Sequence, residues 1–515
     1  MLRVPAALSV LAALVGGLLT AAPATAQPGG PVAGARAGVE RPAAPPRLHA
    51  THGPQAAIVD ARGARVLLRG VNVNGLGEYY QANPELPSTV PLTSDDFQDI
   101  AALGFNSVRL IVSWSRLEPT RGAYDTAYVA KIKQALRWAR LAGLYVVLDM
   151  HQDAWGLAVD TPQDVTCPPN TSPNNGWDGA PVWATITDRQ STCRPFGTRE
   201  LAPAVLHAWQ HFYDDTGGIQ TELVRTWGRL ARDVATNPTV AGYDLLNEPG
   251  IGLDQANATT DLGAFYRRAI AAIRAGERKG GGFSHVAFFE PNVRWSNQGT
   301  SPVPPVGFTK DQNIAFAPHI YAEAFAGIPI ATGFKNAATV AKSYGVTVWG
   351  GEWVFWPELP ADDADKVRRY AAAEDRWGYG GAWWDWKQAC GDPHMIPAPG
   401  GQPAAVSPSL VRYTCPDQVA QPVDPAFGDV LGRTVPRAVP GRTTTLTSNS
   451  RTGAFELAGR FTPGSQRCAL QVWVPARFAR HKPRVTGITH LRRSSAPGGV
   501  VLSGCVADSF RLRMG

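Results

Sequence analysis

Several signatures that would place this chain in other classes are missing from its sequence. No CxxC pair occurs, and no histidine pair lies at ligand spacing from the cysteines, which argues against a zinc site built on them. No GxGxxG follows the first expected strand, which disfavours a doubly wound nucleotide-binding sheet. We find no apolar run after Ala26 that is long enough to cross a bilayer, and no internal repeat. We therefore expect neither a metal nor a cofactor.

The first residues have the parts of a secretory signal peptide. Arg3 precedes the apolar segment Ala6–Leu19, and small residues follow up to Ala26. A transmembrane anchor is the alternative, but the apolar segment is short for one. We expect cleavage between Ala26 and Gln27, a secreted protein, and a flexible lead-in over residues 27–47.

The cysteine count agrees with export, because an even number in an oxidising compartment suggests disulfides. Sequence alone does not give their connectivity. Pairing in order along the chain is the simplest arrangement, since each pair then closes one local loop. The cysteines are Cys167, Cys193, Cys390, Cys415, Cys468 and Cys505.

Charge is distributed unevenly along the chain. Residues 431–515 contain 14 Lys and Arg and two acidic residues, which gives this segment a net charge of +12. The whole chain carries +7, so residues 1–430 carry −5. The basic part is expected either to contact an anionic surface, such as lipid or acidic glycan, or to be a solvated basic face. Nucleic acid is not an expected partner of an exported protein.

Strand and helix patterns alternate about eight times between residues 56 and 390, which predicts an α/β fold, a (β/α)8 TIM barrel, over residues 48–395. A long insertion rich in Trp and Pro follows the third strand, over residues 152–200. Residues 396–430 are expected to be a linker. Short β-prone runs separated by Pro and Gly predict a small C-terminal antiparallel β-sandwich over residues 431–515.

Two glutamates stand at predicted strand ends. Glu248 lies in YDLLNEPG (Tyr243–Gly250), and we expect it in extended geometry because a residue before proline avoids the α region. Glu352 lies in VTVWGGEWVFWP, directly after a buried strand. Either alone fits a turn or a surface ion pair. Together they suggest the acid/base and nucleophile pair of a retaining glycosidase.

Other polar side chains fall at predicted strand ends, where a barrel gathers its active site. Arg109 is expected to pair with a carboxylate and keep it ionised. Asn247 is a candidate for the sugar 2-OH, and Tyr321 for donation to Glu352. Two further pairs share a strand face by alternation: Asp149 with His151, and His319 with Tyr321.

These motifs resemble glycoside hydrolase family five. The resemblance implies retaining hydrolysis of a β-glycoside, with Glu248 as acid/base and Glu352 as nucleophile. The matching segments span residues 68–386 in the family's order: LRGVN (Asn72), NSVRL (Arg109), LDMHQD (Asp149, His151), LLNEP (Asn247, Glu248), APHIY (His319, Tyr321), WGGEW (Glu352) and GAWWDW (Trp384).

Within that family, LDMHQD and WKQACGDPH (Trp386–His394) are most similar to secreted actinobacterial endoglycoceramidases. That resemblance implies a glycosphingolipid substrate, cleaved between its first sugar and ceramide. GAPVWATITD (Gly179–Asp188) resembles their insertion, so Trp183 is expected to stack on the first sugar. DAWG (Asp153–Gly156) departs from the DVYS of the best-known members.

Some alternatives stay open at this point. Trp384 and Trp386 share a face of the predicted last strand, and either is a candidate sugar platform. The substrate alternatives are a β-glucan, a β-mannan and a steryl, aryl or glucosylceramide glucoside. A carbohydrate-binding protein without activity would be expected to lack one carboxylate, and both are present. A structural or adhesive protein would not account for the polar residues at the strand ends.

Overall fold

The computed structural model describes residues 44–355, 362–396, 398–407 and 409–515. Eight parallel strands, each buried along its length, neighbour one another in chain order, and the eighth pairs with the first. A parallel bridge between Phe316 and Val348 closes the ring. The predicted (β/α)8 barrel is confirmed. The strands are β1 (Arg69–Val73), β2 (Ser107–Ser113), β3 (Tyr145–His151), β4 (Val240–Asp244), β5 (Val286–Phe289), β6 (Ile314–Phe316), β7 (Trp349–Trp353) and β8 (Gly380–Trp383).

Helices cover the barrel from outside, each with an apolar face turned inward. In the second, Tyr128, Ile132 and Leu136 are buried one turn apart, and Gly143 ends the helix in the left-handed region at φ 74°. The barrel helices are α1 (Ser94–Ala102), α2 (Thr126–Ala142), α3 (Pro203–Tyr213), α4 (Ile219–Val234), α5 (Ala258–Lys279), α6 (Ile330–Tyr344) and α7 (Asp362–Trp377).

Two expected features differ in detail. The periodicity over His207–Val234 predicts one helix, but the chain breaks between α3 and α4, where Asp215 and Gly217 adopt left-handed φ values of 51° and 58°. The sequence pattern predicts a strand over Val346–Gly350, but the strand begins at Trp349, so β7 contains Glu352 rather than preceding it.

Short elements decorate the barrel. They are two small helices (Trp114–Leu117 and Arg294–Gln298) and three two-stranded ribbons (Leu48–Ala50 with Ile58–Asp60, Thr171–Ser172 with Arg194–Pro195, and Tyr413–Thr414 with Val419–Ala420). After the last ribbon, helix α8 (Pro425–Leu431) leads into the C-terminal module.

The N-terminal predictions fall outside the described residues. The signal peptide, its cleavage site and residues 27–43 of the lead-in all lie in that part, and Trp356 of the VTVWGGEWVFWP segment is likewise outside the described residues. The described residues belong to one compact unit. Among the helices that the structure describes, none combines the length and apolarity that a membrane span requires.

Three disulfides pair the six cysteines in order along the chain. Cys167–Cys193 lies in the long insertion, and Cys390–Cys415 ties the segment after β8. Cys468–Cys505 lies in the C-terminal module. The disulfides predicted from the even cysteine count are therefore present, in the simplest connectivity.

The C-terminal module is an antiparallel β structure, as predicted, and its six strands form one half-barrel sheet. The first half of β14 (Gly499–Met514) pairs with β12 (Leu470–Pro475) and its second half pairs with β11 (Phe455–Phe461). This long strand therefore joins the two halves of the sheet. Leu457 from one half and Val472 from the other share one core. The strands are β9 (Val435–Ala438), β10 (Gly441–Ser448), β11 (Phe455–Phe461), β12 (Leu470–Pro475), β13 (Arg484–Ala496) and β14 (Gly499–Met514).

The module packs against the barrel at the N-terminal ends of the barrel strands. Arg433 binds Glu374 (2.9 Å) and Asp375 (3.1 Å) near the end of α7, and Asp375 also binds Arg69 at the start of β1 (2.7 Å). Arg65, which precedes β1, pairs with Val439 through the backbone. The basic module therefore lies at the barrel end opposite the carboxyl ends of the strands.

Candidate active site

The side chain of Arg109 is the centre of the polar cluster inside the barrel mouth. It is fully buried on β2. Burial by itself lowers the pKa of a guanidinium, but the surrounding carboxylates outweigh it and raise the pKa of Arg109. Its contacts are Asp244 Oδ2 (2.9 Å), Asn72 Oδ1 (3.1 Å), Glu352 Oε1 (2.7 Å), Asn247 Oδ1 (2.9 Å), Glu290 Oε1 (2.9 Å) and Asp149 Oδ1 (2.9 Å).

Glu352 is held from two sides. Arg109 donates to Oε1, and the hydroxyl of Tyr321 donates to Oε2 at 2.7 Å. The preceding glycine allows the barrel to close tightly here, because a Cβ at Gly351 would lie 2.9 Å from Nε2 of His319. Burial raises the pKa of Glu352, and the charges of His319 and Arg109 oppose that shift without cancelling it.

Glu248 does not have the extended geometry expected from the following proline. Its φ is +37°, and it lies four residues beyond the end of β4. A non-glycine residue in this region costs about 1–3 kcal/mol and persists only where its surroundings hold it. Glu290 Oε2 accepts from the Glu248 amide (2.9 Å), and Gln152 Nε2 donates to its carbonyl (2.9 Å). These contacts aim the carboxyl into the barrel mouth.

The Glu248 carboxyl accepts from two donors at the same oxygen. Nδ1 of His319 lies 2.8 Å from Oε1, and the hydroxyl of Ser296 also donates to it. Burial raises the pKa of Glu248, but these hydrogen bonds and the charge of His319 prevail and lower it. Arg199 Nη2 lies 4.0 Å from the other oxygen, Oε2.

His319 lies between the two glutamates. Oxygens of Glu248 and Glu352 and a His319 nitrogen all fall within 4.8 Å of one another. Nδ1 is 3.3 Å from Glu352 Oε2, and Nε2 is 3.2 Å from Glu290 Oε1. Burial lowers the pKa of His319, but Glu290 and Glu352 raise it well above its ordinary value. The raised pKa of His319 and the lowered pKa of Glu248 both favour the arrangement in which the imidazole carries the proton and Glu248 is ionised.

Asp149 and His151 come together as their alternation predicts. Nδ1 of His151 lies 2.6 Å from Asp149 Oδ2, and the imidazole stacks on Trp384 at 5.5 Å between ring centroids and 14° between planes. Burial lowers the pKa of His151, but Asp149 and Asp178 raise it to about 9. The stack fixes Trp384 on the wall of the mouth.

A second polar cluster adjoins this stack. Asp153 Oδ1 binds Arg199 Nη2 (2.5 Å), and Asp153 Oδ2 binds His394 Nε2 (3.2 Å). Arg199 also lies over the ring of Trp177, with its guanidinium carbon 4.2 Å from the ring centroid. Asp178 lies nearby, and burial raises its pKa to about 7.

The cleft above these residues has a volume of about 850 Å³. It is polar at the carboxylates and carries aromatic and aliphatic side chains toward its rim. Asn72, Arg109, Asp149 and His319 are buried beneath it and support the residues that line it. The predicted residues on its wall are His151, Asn247, Glu248, Tyr321, Glu352 and Trp384.

Two predicted tryptophans lie elsewhere. Trp183 is not among the residues that line the cleft: its Nε1 donates to the Glu118 carbonyl (2.9 Å), and its ring packs on Trp114. Trp386 Nε1 donates to Asp96 Oδ1 of α1 (3.0 Å), so it does not share a face with Trp384. The alternation fails because β8 ends at Trp383, before both residues.

Sequence reasoning missed several residues of this site. Glu290 directly follows β5, so the strand-end rule that selected the others would have found it. Ser296, Arg199, Trp177 and His394 lie outside the barrel strands, where periodicity gives no signal.

Comparison with known proteins gives a consistent family. The model for cellulase (glycosyl hydrolase family 5) matches residues 59–390. Endoglycoceramidase I of Rhodococcus hoagii (strain 103S) is 32% identical over 276 residues, 51% of each chain. The endoglycoceramidase of Hydra vulgaris is 26% identical over 215 residues, 38% of this chain and 39% of that protein. The chain thus spans about half the length, or less, of these curated relatives.

Two solved structures share the whole architecture. A crystal structure of endogalactoceramidase is 42% identical with a TM-score of 0.83, covering 91% of this chain and 100% of that one. The lactosyl-enzyme intermediate of endo-glycoceramidase II from Rhodococcus sp. is 24% identical with a TM-score of 0.68, covering 89% and 99%, and shares the fold. Because the family model matches more than half of its residues, this chain belongs to glycosyl hydrolase family 5.

Proposed function

We propose that this protein is an exported, retaining β-glycoside hydrolase that releases the glycan of glycosphingolipids from ceramide. One observation carries the proposal: carboxyl oxygens of Glu248 and Glu352 come within 4.8 Å of each other below the cleft. Retaining enzymes separate their carboxyls by about 5–5.5 Å, whereas inverting enzymes need about 6.5–9.5 Å to admit a water. The spacing supports direct attack by one carboxylate.

In this proposal Glu352 attacks the anomeric carbon. Arg109 and Tyr321 hold its two oxygens at 2.7 Å each, so the carboxylate is oriented before substrate arrives. Asn247 accepts from Arg109 through Oδ1 and donates one amide hydrogen to the Gln152 carbonyl. Its second amide hydrogen remains for the sugar 2-OH, a contact that strengthens in an oxocarbenium-like transition state.

Glu248 delivers the proton to the leaving oxygen. In the free enzyme that proton resides on His319, one hydrogen bond of 2.8 Å away from Glu248 Oε1. The charge of Glu352 helps to keep His319 protonated. When Glu352 bonds to the anomeric carbon its carboxylate loses its negative charge, which lowers the pKa of His319. The proton then passes from His319 to Glu248. After the aglycone leaves, ionised Glu248 takes a proton from water, and the hydroxide oxygen displaces Glu352 from the sugar. The restored charge of Glu352 then draws that proton from Glu248 back to His319, which returns the pair to its starting state.

The rim of the cleft supports an amphiphilic substrate. Phe325 lines the cleft and is 50% exposed, and Phe196, beside the lining residue Gly197, is 85% exposed. Exposed phenyl rings beside a polar pocket offer apolar surface that suits a lipid chain. The similarity to endogalactoceramidase and to endoglycoceramidases supports the same substrate class.

A substrate panel tests the proposal. The enzyme is incubated with a ganglioside, glucosylceramide, a steryl glucoside and soluble β-glucans, and products are identified by mass spectrometry. We expect an intact oligosaccharide and ceramide from the ganglioside. Hydrolysis of the β-glucans alone would refute the glycolipid substrate and leave a family-five glucanase.

Two variants test the carboxylate pair. Glu248→Gln and Glu352→Gln should each lower turnover of an activated β-glycoside by orders of magnitude while the thermal unfolding midpoint stays close to that of the parent protein. Glu85→Gln, at an exposed glutamate, is the matched control. Near-parental turnover in either cleft variant would contradict the assignment.

Export is part of the proposal. Three disulfides support an oxidising compartment. Expression of the full chain in a secreting host should give a mature protein that begins at Gln27, whereas retention of Met1 in the cell would contradict export. Membrane contact through the basic module is not included, because that module packs at the barrel end opposite the cleft.

A further inference from the structure

Three side chains outside the cleft form a compact cluster on the surface of α3. His207 and His211 lie one helical turn apart, and Asp188 reaches them from the long insertion after β3. Asp188 Oδ2 is 2.7 Å from His207 Nδ1 and 2.8 Å from His211 Nε2. None of the three lines the cleft. The glycosidase chemistry described above uses none of them.

The three ligand types suit a divalent transition metal. Histidines at i and i+4 project from the same helix face, a spacing that recurs in helical zinc sites. Their nitrogens and one carboxylate oxygen already converge within 4.8 Å of one another. Three protein ligands leave a fourth position for water, and the partial exposure of all three side chains leaves an entry path from solvent.

The distances need only a small adjustment. Bonds of about 2.0–2.2 Å in a tetrahedron set neighbouring ligand atoms about 3.3–3.5 Å apart. The carboxylate oxygen therefore has to withdraw from each nitrogen by about 0.6 Å, which a slight rotation of these half-exposed side chains supplies.

Two features outside the trio favour a ligand there. Nδ1 of His211 lies 3.0 Å from the Thr216 hydroxyl, which leaves Nε2 directed at Asp188 and fixes the ring, as partners of metal-bound histidines do. Asp188 and Arg189 both have left-handed φ values, 50° and 57°. Two consecutive non-glycine residues in this region store strain, and such strain clusters at binding sites.

We propose that Asp188, His207 and His211 bind one Zn²⁺ or a similar divalent transition-metal ion. The ion braces the insertion against α3, next to the segment Thr198–Leu201 that lines the cleft. Its role is structural, and the proposal departs from the expectation of a metal-free protein at this surface, away from the carboxylates.

Metal titration of the full-length secreted protein tests the proposal. Protein stripped with a chelator is titrated with Co²⁺, and visible absorption reports how much Co²⁺ is bound. Displacement of the bound Co²⁺ by Zn²⁺ then gives the affinity of the site for Zn²⁺. We expect one equivalent of ion per chain.

Variants locate the ion. His211→Ala and Asp188→Asn should each abolish stoichiometric uptake, and Thr216→Val should weaken Zn²⁺ binding by about 10-fold through loss of the ring partner. His49→Ala, at an exposed histidine of the first ribbon, is the control. Circular dichroism checks that each variant folds.

Two results would overturn the proposal. One is the absence of saturable Zn²⁺ or Co²⁺ binding by the parent protein at neutral pH, which leaves the trio as ordinary hydrogen bonds. The other is unchanged uptake by His211→Ala and Asp188→Asn, which places the ion elsewhere.

Discussion

Removing the Ser296 hydroxyl should move one limb of the pH–activity profile without harming the fold. Ser296→Ala deletes one of the two donors to Glu248 Oε1 and leaves His319 in place. A hydrogen bond to a charged group is worth about 1.5–3 kcal/mol. Because one donor remains, we take the lower end, which corresponds to a rise of about one unit in the pKa of Glu248.

The sign follows from the proposed role. Glu248 must donate a proton, so kcat/KM falls as pH rises through the pKa that governs it. The Ser296 hydroxyl lowers the pKa of Glu248. Because His319 holds the same proton in the free enzyme, the basic limb reports the Glu248–His319 pair. Without the hydroxyl this limb should therefore shift upward by less than about one pH unit, while the acid limb stays in place. Both limbs are apparent values, since Glu248, His319 and Glu352 titrate together.

Tyr321→Phe is the complementary variant, because it removes only the donor to Glu352 Oε2. Glu352 must be ionised to attack, and loss of its donor raises its pKa, so here the acid limb should move to higher pH. Ser301→Ala, in the same connection after β5 but without contact to either carboxylate, is the control. Steady-state kcat/KM on a fluorogenic β-glycoside across the pH range measures all four proteins. A shift of the acid limb in Ser296→Ala, or of neither limb, would refute the assigned roles.

Three further predictions concern the surroundings of the pair. Arg109→Gln removes the counterion of four buried carboxylates and should lower the free energy of unfolding by about 3–5 kcal/mol; an unchanged urea midpoint would contradict this. Because the pKa of His151 is raised to about 9, its contribution of about 3 kcal/mol to the free energy of unfolding should be complete below about pH 6.5 and lost as pH rises through 9. Urea unfolding at about pH 6.5 and above about pH 9 should show this decline, and His151→Asn should reduce it. An unfolding free energy that does not change with pH in the parent protein would count against the prediction. Trp177→Ala should lower kcat/KM on a glycolipid by about 3–10-fold through loss of ring contacts. Trp183→Ala should instead lower the thermal unfolding midpoint more than it lowers kcat/KM. The reverse pattern would restore Trp183 as the sugar platform.

The barrel was predictable because its signals are local. Continuous apolar strands followed by a polar residue, as in Leu144–Leu148 before Asp149, recur around the ring and determine both the fold and the location of the cleft. Tyr321 and the two glutamates follow from the same rule, whereas Arg109 lies within β2. The disulfides adopt the simplest pairing, in order along the chain, although sequence alone left their connectivity open.

The remaining features depend on tertiary contacts that periodicity does not encode. Glu248 takes a positive φ because Glu290 and Gln152 hold its backbone, which overrides the preference imposed by Pro249. Trp183 lies in the insertion outside the barrel elements, and its direction is determined by its packing on Trp114 and its hydrogen bond to the Glu118 carbonyl. His319 could be located from sequence, but its protonation depends on Glu290, a partner distant in sequence.

The central claim is that Glu352 forms the covalent intermediate while Glu248 handles the proton. An activated 2-deoxy-2-fluoro β-glycoside slows hydrolysis of a glycosyl-enzyme, so the trapped protein can be digested and the labelled residue found by mass spectrometry. We predict one sugar per chain, attached to Glu352, and no label in Glu352→Gln. Attachment to Glu248, or turnover with inversion and no trapped sugar, would contradict the account.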